Sequence, residues 1–251
     1  MTRGTALVRA VSPRLADGIV THIERTDVDV TLARSQHAAY VDALAGCGWR
    51  PVFVPPADDS PDSVFVEDTV VVCDGHAVLT RPGAAGRRTE VDAVEPVVRD
   101  LGLTTARIEA PGCLDGGDVL QVGRTVYVGV GGRTDDEGIR QLAALLAPLD
   151  RTVVAVPIAG VLHLKSAVTA LPDGTCIAWN PAAAEIPGVS LVPEPTGSFV
   201  VLLGGSDVLI AASAPRTAEF LTSLGYRPVV VDIGEFERLE GCVTCLSVLV
   251  G

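Results

Sequence analysis

The chain has 251 residues, 48% of them apolar, and 19 basic against 31 acidic side chains give a formal net charge of −12. That balance argues against nucleic acid and anionic membranes as partners, since both call for an excess of Lys and Arg, and it suits a small cationic ligand. There is no run of eighteen apolar residues and no basic-then-apolar leader pattern, so a cytoplasmic protein with six reduced cysteines and no disulfide framework is expected.

Aromatic residues make up only 4% of the chain, so Val, Ala and Leu must fill the core, which favours many short strands. In chain order, Ala6 to Val11 reads as a strand, Thr31 to Cys47 as a helix ended by Gly48, and Pro51 to Val54 as a strand. Val64 to Val72 and Ala77 to Thr80 predict a hairpin around Asp74-Gly75, followed by a helix over Arg88 to Leu101 and a strand over Thr104 to Ile108. Asp118 to Val122 and Thr125 to Val130 predict the next hairpin. Thr134 to Leu149 follows as a helix, with Thr134 as N-cap and Glu137 completing a capping box, and then a strand over Thr152 to Val156. Ser166 to Leu171 pairs with Cys176 to Ala178, and a weaker stretch runs on to Val192. Phe199 to Leu203 pairs with Val208 to Ala212, a helix opens at Pro215, and Arg227 to Val231 is a strand. The end, Cys242 to Gly251, is too apolar to lie free in water and reads as a core strand.

Hairpin, helix, strand thus recurs at about fifty residues. The fold class expected is α/β: five ββαβ-type repeats closing as a ring around a pseudo-fivefold axis. Residues 1–251 form a single catalytic domain in this reading, and the C-terminal strand completes the first repeat. A doubly wound sheet fits less well, because a hairpin precedes each helix.

Several clusters carry chemistry. Asp62, Glu67 and Asp68 bracket an apolar stretch, costly unless a cation answers them. A guanidinium is a good answer, since a carboxylate accepts two of its N–H groups side by side; solvated strand ends are the plainer alternative. Read as a strand, this stretch turns Asp62 and Asp68 to one face and Glu67 to the other. Gly116-Gly117 allows a tight turn or a close approach. His163 sits among apolar residues, as a core histidine would; His37 and His76 look like surface groups. Arg81 and Arg133 each follow a hairpin and are either exposed or a clamp for a carboxylate. Cys242-x-x-Cys245 is unlike a redox pair, which opens a helix, and a structural zinc site would want a second ligand pair. In an extended strand the two cysteines face opposite sides, leaving Cys245 free to face a cavity as the reactive atom.

Taken together, Asp62-Ser63-Val64-Phe65-Val66-Glu67-Asp68, Thr80-Arg81-Pro82-Gly83-Ala84, Leu114-Asp115-Gly116-Gly117-Asp118-Val119-Leu120, Leu162-His163-Leu164-Lys165-Ser166 and Thr244-Cys245-Leu246-Ser247-Val248-Leu249 resemble the dimethylarginine dimethylaminohydrolases. The resemblance spans nearly the whole chain. It implies the pentein, or αβ-propeller, fold. It also implies hydrolysis of asymmetric dimethyl- or monomethyl-arginine to citrulline and an alkylamine through a covalent Cys thiouronium.

By that resemblance Cys245 is the nucleophile, His163 the general acid and base, and Asp115 the group that orients His163. Asp62 holds the α-amino group, Glu67 and Asp68 the guanidinium, Arg81 and Arg133 the α-carboxylate. Leu239, Glu240 and Ile19 lie beside the substrate. No metal or cofactor is implied. The partner is a cationic amino acid, with no nucleic acid and no membrane, and the protein is a monomer or homodimer. Cys242 departs from the family pattern. The alternatives are an arginine deiminase or amidinotransferase, for which the chain is short, and a non-catalytic pentein such as the ribosome anti-association factor, which needs no Cys-His-acid set.

Overall fold

The computed structural model describes residues 3–251. The elements in order are β1 (Gly4–Arg9), α1 (Val30–Gly46), β2 (Trp49–Val54), β3 (Val70–Cys73), β4 (His76–Leu79), α2 (Val94–Asp100), β5 (Thr104–Arg107), β6 (Val119–Val122), β7 (Thr125–Val130), α3 (Asp136–Leu146) and β8 (Thr152–Pro157). They continue as β9 (Val168–Ala170), β10 (Cys176–Ala178), β11 (Ser190–Leu191), β12 (Val200–Gly204), β13 (Asp207–Ala211), α4 (Pro215–Ser223), β14 (Arg227–Val231), α5 (Gly234–Glu237) and β15 (Val248–Val250).

The strands form five three-stranded sheets, ordered β15-β1-β2, β3-β4-β5, β6-β7-β8, β9-β10-β11 and β12-β13-β14. In each, an antiparallel pair is followed by a crossover to a parallel outer strand. The hairpin at Asp74-Gly75 has both residues at positive φ, +46° and +74°, the geometry for which an Asp-Gly pair is suited. The C-terminal β15 pairs with β1 through Thr5–Val250 and Leu7–Val248, so the two ends of the chain share one sheet.

The buried apolar residues lie in the seams between neighbouring sheets. Leu7, Val66 and Leu79 fill the first seam, Val71, Val126 and Leu142 the second, Leu120, Leu164 and Val168 the third, and Ile177, Val200 and Val208 the fourth. The fifth, with Val8, Leu209 and Phe236, joins the last sheet to the first, and this closes the ring. The first strand of every sheet faces the axis, where Val71, Leu120, Thr169, Val201 and Leu249 line a common channel.

Six expectations are corrected. Val66–Thr69 is a 3-10 turn, so the acidic stretch enters β3 from a bend. Residues 88–101 divide into a 3-10 segment, Ala85–Val91, and the short α2. The N-cap of α3 is Asp135, which accepts from the Gly138 N–H; the Thr134 hydroxyl instead donates to Asp118. The terminal strand begins only at Val248, and 243–246 form a turn closed by the Cys245 N–H donating to the Cys242 carbonyl, 3.1 Å. The fourth unit has a 3-10 turn, Pro181–Ala183, in place of a helix; Pro181, Pro187, Pro193 and Pro195 make that stretch a poor helix. His37 is buried in α1, not at the surface.

Candidate active site

The bends at one end of the ring converge on a narrow cavity lined by Ile19, Asp62, Phe65, Asp68, Arg87, Arg133, Leu162, His163, Leu239, Glu240, Gly241 and Cys245. Each reactive group arrives on a turn beside a first strand. The 3-10 turn before β3 brings Asp68, Gly116–Asp118 follows Asp115, Leu164–Ser166 follows His163, and the turn before β15 brings Cys245. Turns suit this task because their backbone can point side chains along the axis, which strand side chains, perpendicular to their sheet, cannot.

Asp115 is fully buried. Its Oδ1 accepts the Gly83 N–H at 2.9 Å and its Oδ2 accepts His163 Nε2–H at 2.9 Å. The other ring nitrogen, Nδ1, lies 3.8 Å from Asp68 Oδ1 and has no hydrogen-bond partner in the protein. Burial alone would lower the His163 pKa, but Asp68, the bond to Asp115, and Asp118 raise it to about 10. His163 is therefore an imidazolium at neutral pH, with one proton held by Asp115 and the other on Nδ1 beside Asp68. Asp118 fixes the backbone that carries it, accepting the Leu164 N–H at 2.9 Å and the Thr134 hydroxyl at 2.6 Å.

Asp68 is buried, which would raise its pKa; His163, Arg87 and the Gly117 N–H bring it down to about 2. Gly117 permits this approach. A Cβ there would lie 2.6 Å from His163 Nδ1 and 2.7 Å from Asp68 Oδ1. Gly117→Ala should accordingly push both groups off line and cut turnover by roughly a hundredfold, at about 1–3 kcal/mol of stability; citrulline kinetics and a thermal melt would check both.

Asp68 and His163 also link stability to pH. Asp68 has a folded pKa below its ordinary value of 3.8, so its contribution is present above that value and is lost as pH falls through about 2. His163 has a folded pKa above its ordinary 6.5, so its contribution is present below 6.5 and is lost as pH rises through about 10. Denaturation midpoints should be level between these arms and fall at both ends; Asp115→Asn should weaken the alkaline arm.

Arg87 was not foreseen in the sequence. It is buried and lines the cavity, and its guanidinium donates to Asp68, to Glu90 at 2.8 Å, and to the Asp62 and Phe65 carbonyls at 3.1 and 3.0 Å. The Arg87-x-x-Glu90 spacing was the available signal, since a buried arginine needs an acid nearby. Arg81 does not line the cavity: its guanidinium holds the Pro111 and Gly112 carbonyls at 3.3 and 3.0 Å. Arg133 lines the cavity and donates to the Thr21 hydroxyl at 3.4 Å.

Asp62 Oδ1 accepts the Ile19 N–H at 3.0 Å, and Glu240 accepts the Thr21 and His22 N–H groups, so the segment after Gly18 lies across the cavity mouth. Leu239 walls the cavity beside Phe65 and Leu162. Glu67 turns away from it, toward the axial channel, where Lys165 Nζ donates to its Oε1 at 2.5 Å.

Asp68, Asp115 and His163 each bring one donor atom within 4.8 Å of the others. A cation there would have to displace the His163 proton, because both imidazole nitrogens carry hydrogen in the charged ring.

The two cysteines are the largest surprise. The turn places their sulfurs on one side, 3.2 Å apart, instead of on opposite faces of a strand. Cys245 lines the cavity, whereas Cys242 is walled in behind it. The bond to Cys242, burial, and the charges of Glu67 and Asp68 all raise the Cys245 thiol well above its ordinary value.

A ring of five α/β units with a Cys-His-Asp set at one end of its axis defines a pentein of the guanidine-modifying class. The family model described as arginine deiminase matches residues 53–173. The chain is 59% identical over 97% of its length, and 95% of the relative's, to the N(G),N(G)-dimethylarginine dimethylaminohydrolase of Streptomyces coelicolor. It is 34% identical over 96% of its length, and 97% of the relative's, to that of Pseudomonas aeruginosa. A cysteine-to-serine variant of the Pseudomonas aeruginosa protein complexed with citrulline superposes with a TM-score of 0.92 at 32% identity, covering both chains fully. The chain therefore belongs to the dimethylarginine dimethylaminohydrolase family. No helix among the described residues is long and apolar enough to cross a membrane.

Proposed function

We propose that the protein hydrolyses Nω-methylated L-arginine, asymmetric dimethyl- or monomethyl-arginine, to L-citrulline and an alkylamine. The observation that carries this reading is a single cavity that joins a buried thiol, a charged histidine held by Asp115, and the carboxylates of Asp62, Asp68 and Glu240. The family relatives bearing that name support it.

In this reading the substrate's α-amino group meets Asp62 and its α-carboxylate meets Arg133 and Arg87. Arg87 takes the place first given to Arg81 because it lines the cavity and Arg81 does not. The guanidinium lies on Asp68, between the walls formed by Phe65, Leu162 and Leu239. Ile19, Leu239 and Glu240 close over it, and Glu67 acts from behind Cys245, to whose carbonyl its N–H donates at 3.2 Å. The expected setting is the cytoplasm, as a monomer or homodimer.

The chemistry follows from the charges. A guanidinium carbon is a poor electrophile because its charge is delocalised; pinning it on a carboxylate in line with sulfur supplies much of the rate. The Cys245 thiolate, favoured by the cationic substrate and the imidazolium, attacks that carbon. His163 gives its Nδ1 proton to the departing alkylamine and leaves a thiouronium on Cys245. Neutral His163 then takes a proton from water and hydroxide adds to the same carbon; the C–S bond breaks to return the thiolate, the new hydroxyl gives up its proton to solvent as it becomes the carbonyl, and citrulline departs.

Incubation with asymmetric dimethylarginine should release citrulline. An acid quench should reveal an adduct on the Cys245 peptide, and His163→Gly, lacking the acid that releases the amine, should stall before that adduct forms. Unmodified Cys245 under turnover, or a near-native rate in His163→Gly, would contradict the reading.

A further inference from the structure

A thiol must lose its proton before it attacks, and in this site the histidine cannot take it. His163 already holds a proton on each nitrogen, one against Asp115 and one on Nδ1, 3.8 Å from Asp68 Oδ1. Among the described residues the side chain of Cys245 has one hydrogen-bond partner, the Cys242 sulfur at 3.2 Å. From Cys242 the contacts continue: Thr244 Oγ1 at 3.1 Å, then Glu67 Oε2 at 3.1 Å from that hydroxyl, then Lys165 Nζ on the other oxygen of Glu67. Cys245 lines the catalytic cavity, and Thr244, Glu67 and Lys165 line the axial channel on the other side. The chain of contacts thus crosses the floor between the two spaces.

The direction of every bond in the chain is fixed by counting hydrogens. The Glu67 carboxylate only accepts, so the single hydroxyl hydrogen of Thr244 is committed to it. Thr244 must then accept from Cys242, which has one S–H to give. Cys242 must in turn accept from Cys245. All the hydrogens point from the nucleophile toward Glu67.

We propose that Cys242, Thr244 and Glu67 form a relay that takes the Cys245 thiol proton away from the catalytic cavity when a cationic substrate enters. The Cys245 S–H bond breaks and its proton forms an S–H bond to Cys242. The Cys242 proton passes to the Thr244 oxygen, and the Thr244 hydroxyl proton passes to Glu67. Three S–H or O–H bonds break and three form. The electron pair stays on Cys245 as thiolate, and Glu67 becomes a neutral acid beside Lys165. The charged or titratable groups set around the sulfur, Glu67, Asp68, His163, Cys242 and the Tyr40 phenol, leave Glu67 as the acceptor at the chain's end, because Asp68 is engaged by Arg87 and Gly117. When the thiolate is released at the end of the cycle the same path runs backward.

The relay rests on Cys245 being the nucleophile of the proposed reaction, but its test does not need turnover. Alkylation of Cys245 by a small haloacetamidine, itself a cationic amidine, is followed against pH in the parent, Cys242→Ser and Cys242→Val. Serine keeps one donor and one acceptor and should track the parent. Valine breaks the chain and should slow alkylation by roughly ten- to a hundredfold near neutral pH, with the rate recovered at high pH where hydroxide removes the proton. Thr244→Ser and Thr244→Val repeat the comparison should Cys242→Val fail to fold. A parent-like pH profile in the valine variants overturns the relay, since the proton would then leave through the cavity. A loss equal at every pH also overturns it, since that is the mark of a displaced sulfur. Failure of the parent to release citrulline would remove the proposed function and leave the alkylation result legible.

Discussion

Cys245→Ser should abolish turnover, by at least roughly a thousandfold, while the fold and ligand binding persist. The side chain is small, and its partners, the Cys242 sulfur and the walls of the cavity, tolerate a hydroxyl of similar size. What is lost is the anion: a serine hydroxyl has no cationic substrate effect large enough to ionise it, and the charged His163 offers no base to help. Thermal melts should agree to within about 1 kcal/mol, and citrulline should bind both forms. Residual activity within tenfold of the parent would mean that another group attacks.

Arg87→Ala should produce the largest loss of stability of any single change at the site. The guanidinium neutralises Asp68 and Glu90 and satisfies two carbonyls in a region closed to water. Removing one partner of such a set leaves unpaired buried charge and costs about 3–5 kcal/mol. Arg87→Lys should recover part of this, because an ammonium keeps the charge but not the planar fork. Arg81→Ala removes bonds to the carbonyls of exposed Pro111 and buried Gly112 and should cost about 1 kcal/mol, with the KM for methylarginine little changed. A stable Arg87→Ala protein with an unchanged KM, alongside an Arg81→Ala protein with a raised KM, would reverse these assignments.

These two residues mark where the sequence could and could not be read. The five-unit ring was legible because each hairpin carries its own turn chemistry, such as Asp74-Gly75, and each outer strand follows at a fixed interval. Local signals of that kind survive in one dimension. Cys245, His163 and Asp115 were legible as residue types in motifs, and His163 proved to be held by Asp115.

The bends were not legible. An apolar run such as Cys242 to Val250 has the composition of a strand, and only tertiary packing against Phe65 and Phe236 decides that its first half turns. That turn reversed the reading of the two cysteines, from opposite faces to sulfur against sulfur. Arg81 and Arg87 show the same limit at a single side chain. Both follow β4, and which of them reaches the axis depends on the path of the 3-10 segment between Ala85 and Val91. Glu67 was read onto the face opposite Asp62 and Asp68 by strand alternation. It does lie on the other side, but the separation is made by a 3-10 turn.

The pH dependence of kcat/KM ties these elements together. Loss of the His163 proton near pH 10 should end activity on the alkaline side, and the raised thiol should limit it on the acid side. Activity should therefore climb from neutral pH toward that limit before it falls. A profile flat through the alkaline range would mean that the histidine is not the acid.

The most direct measurement is the identity of the amine released from a series of arginines. The account predicts citrulline with dimethylamine from asymmetric dimethylarginine and citrulline with methylamine from monomethylarginine, with arginine itself a poor source of ammonia. Ammonia released efficiently from arginine, with the methylated forms left intact, would contradict it and make the protein a deiminase.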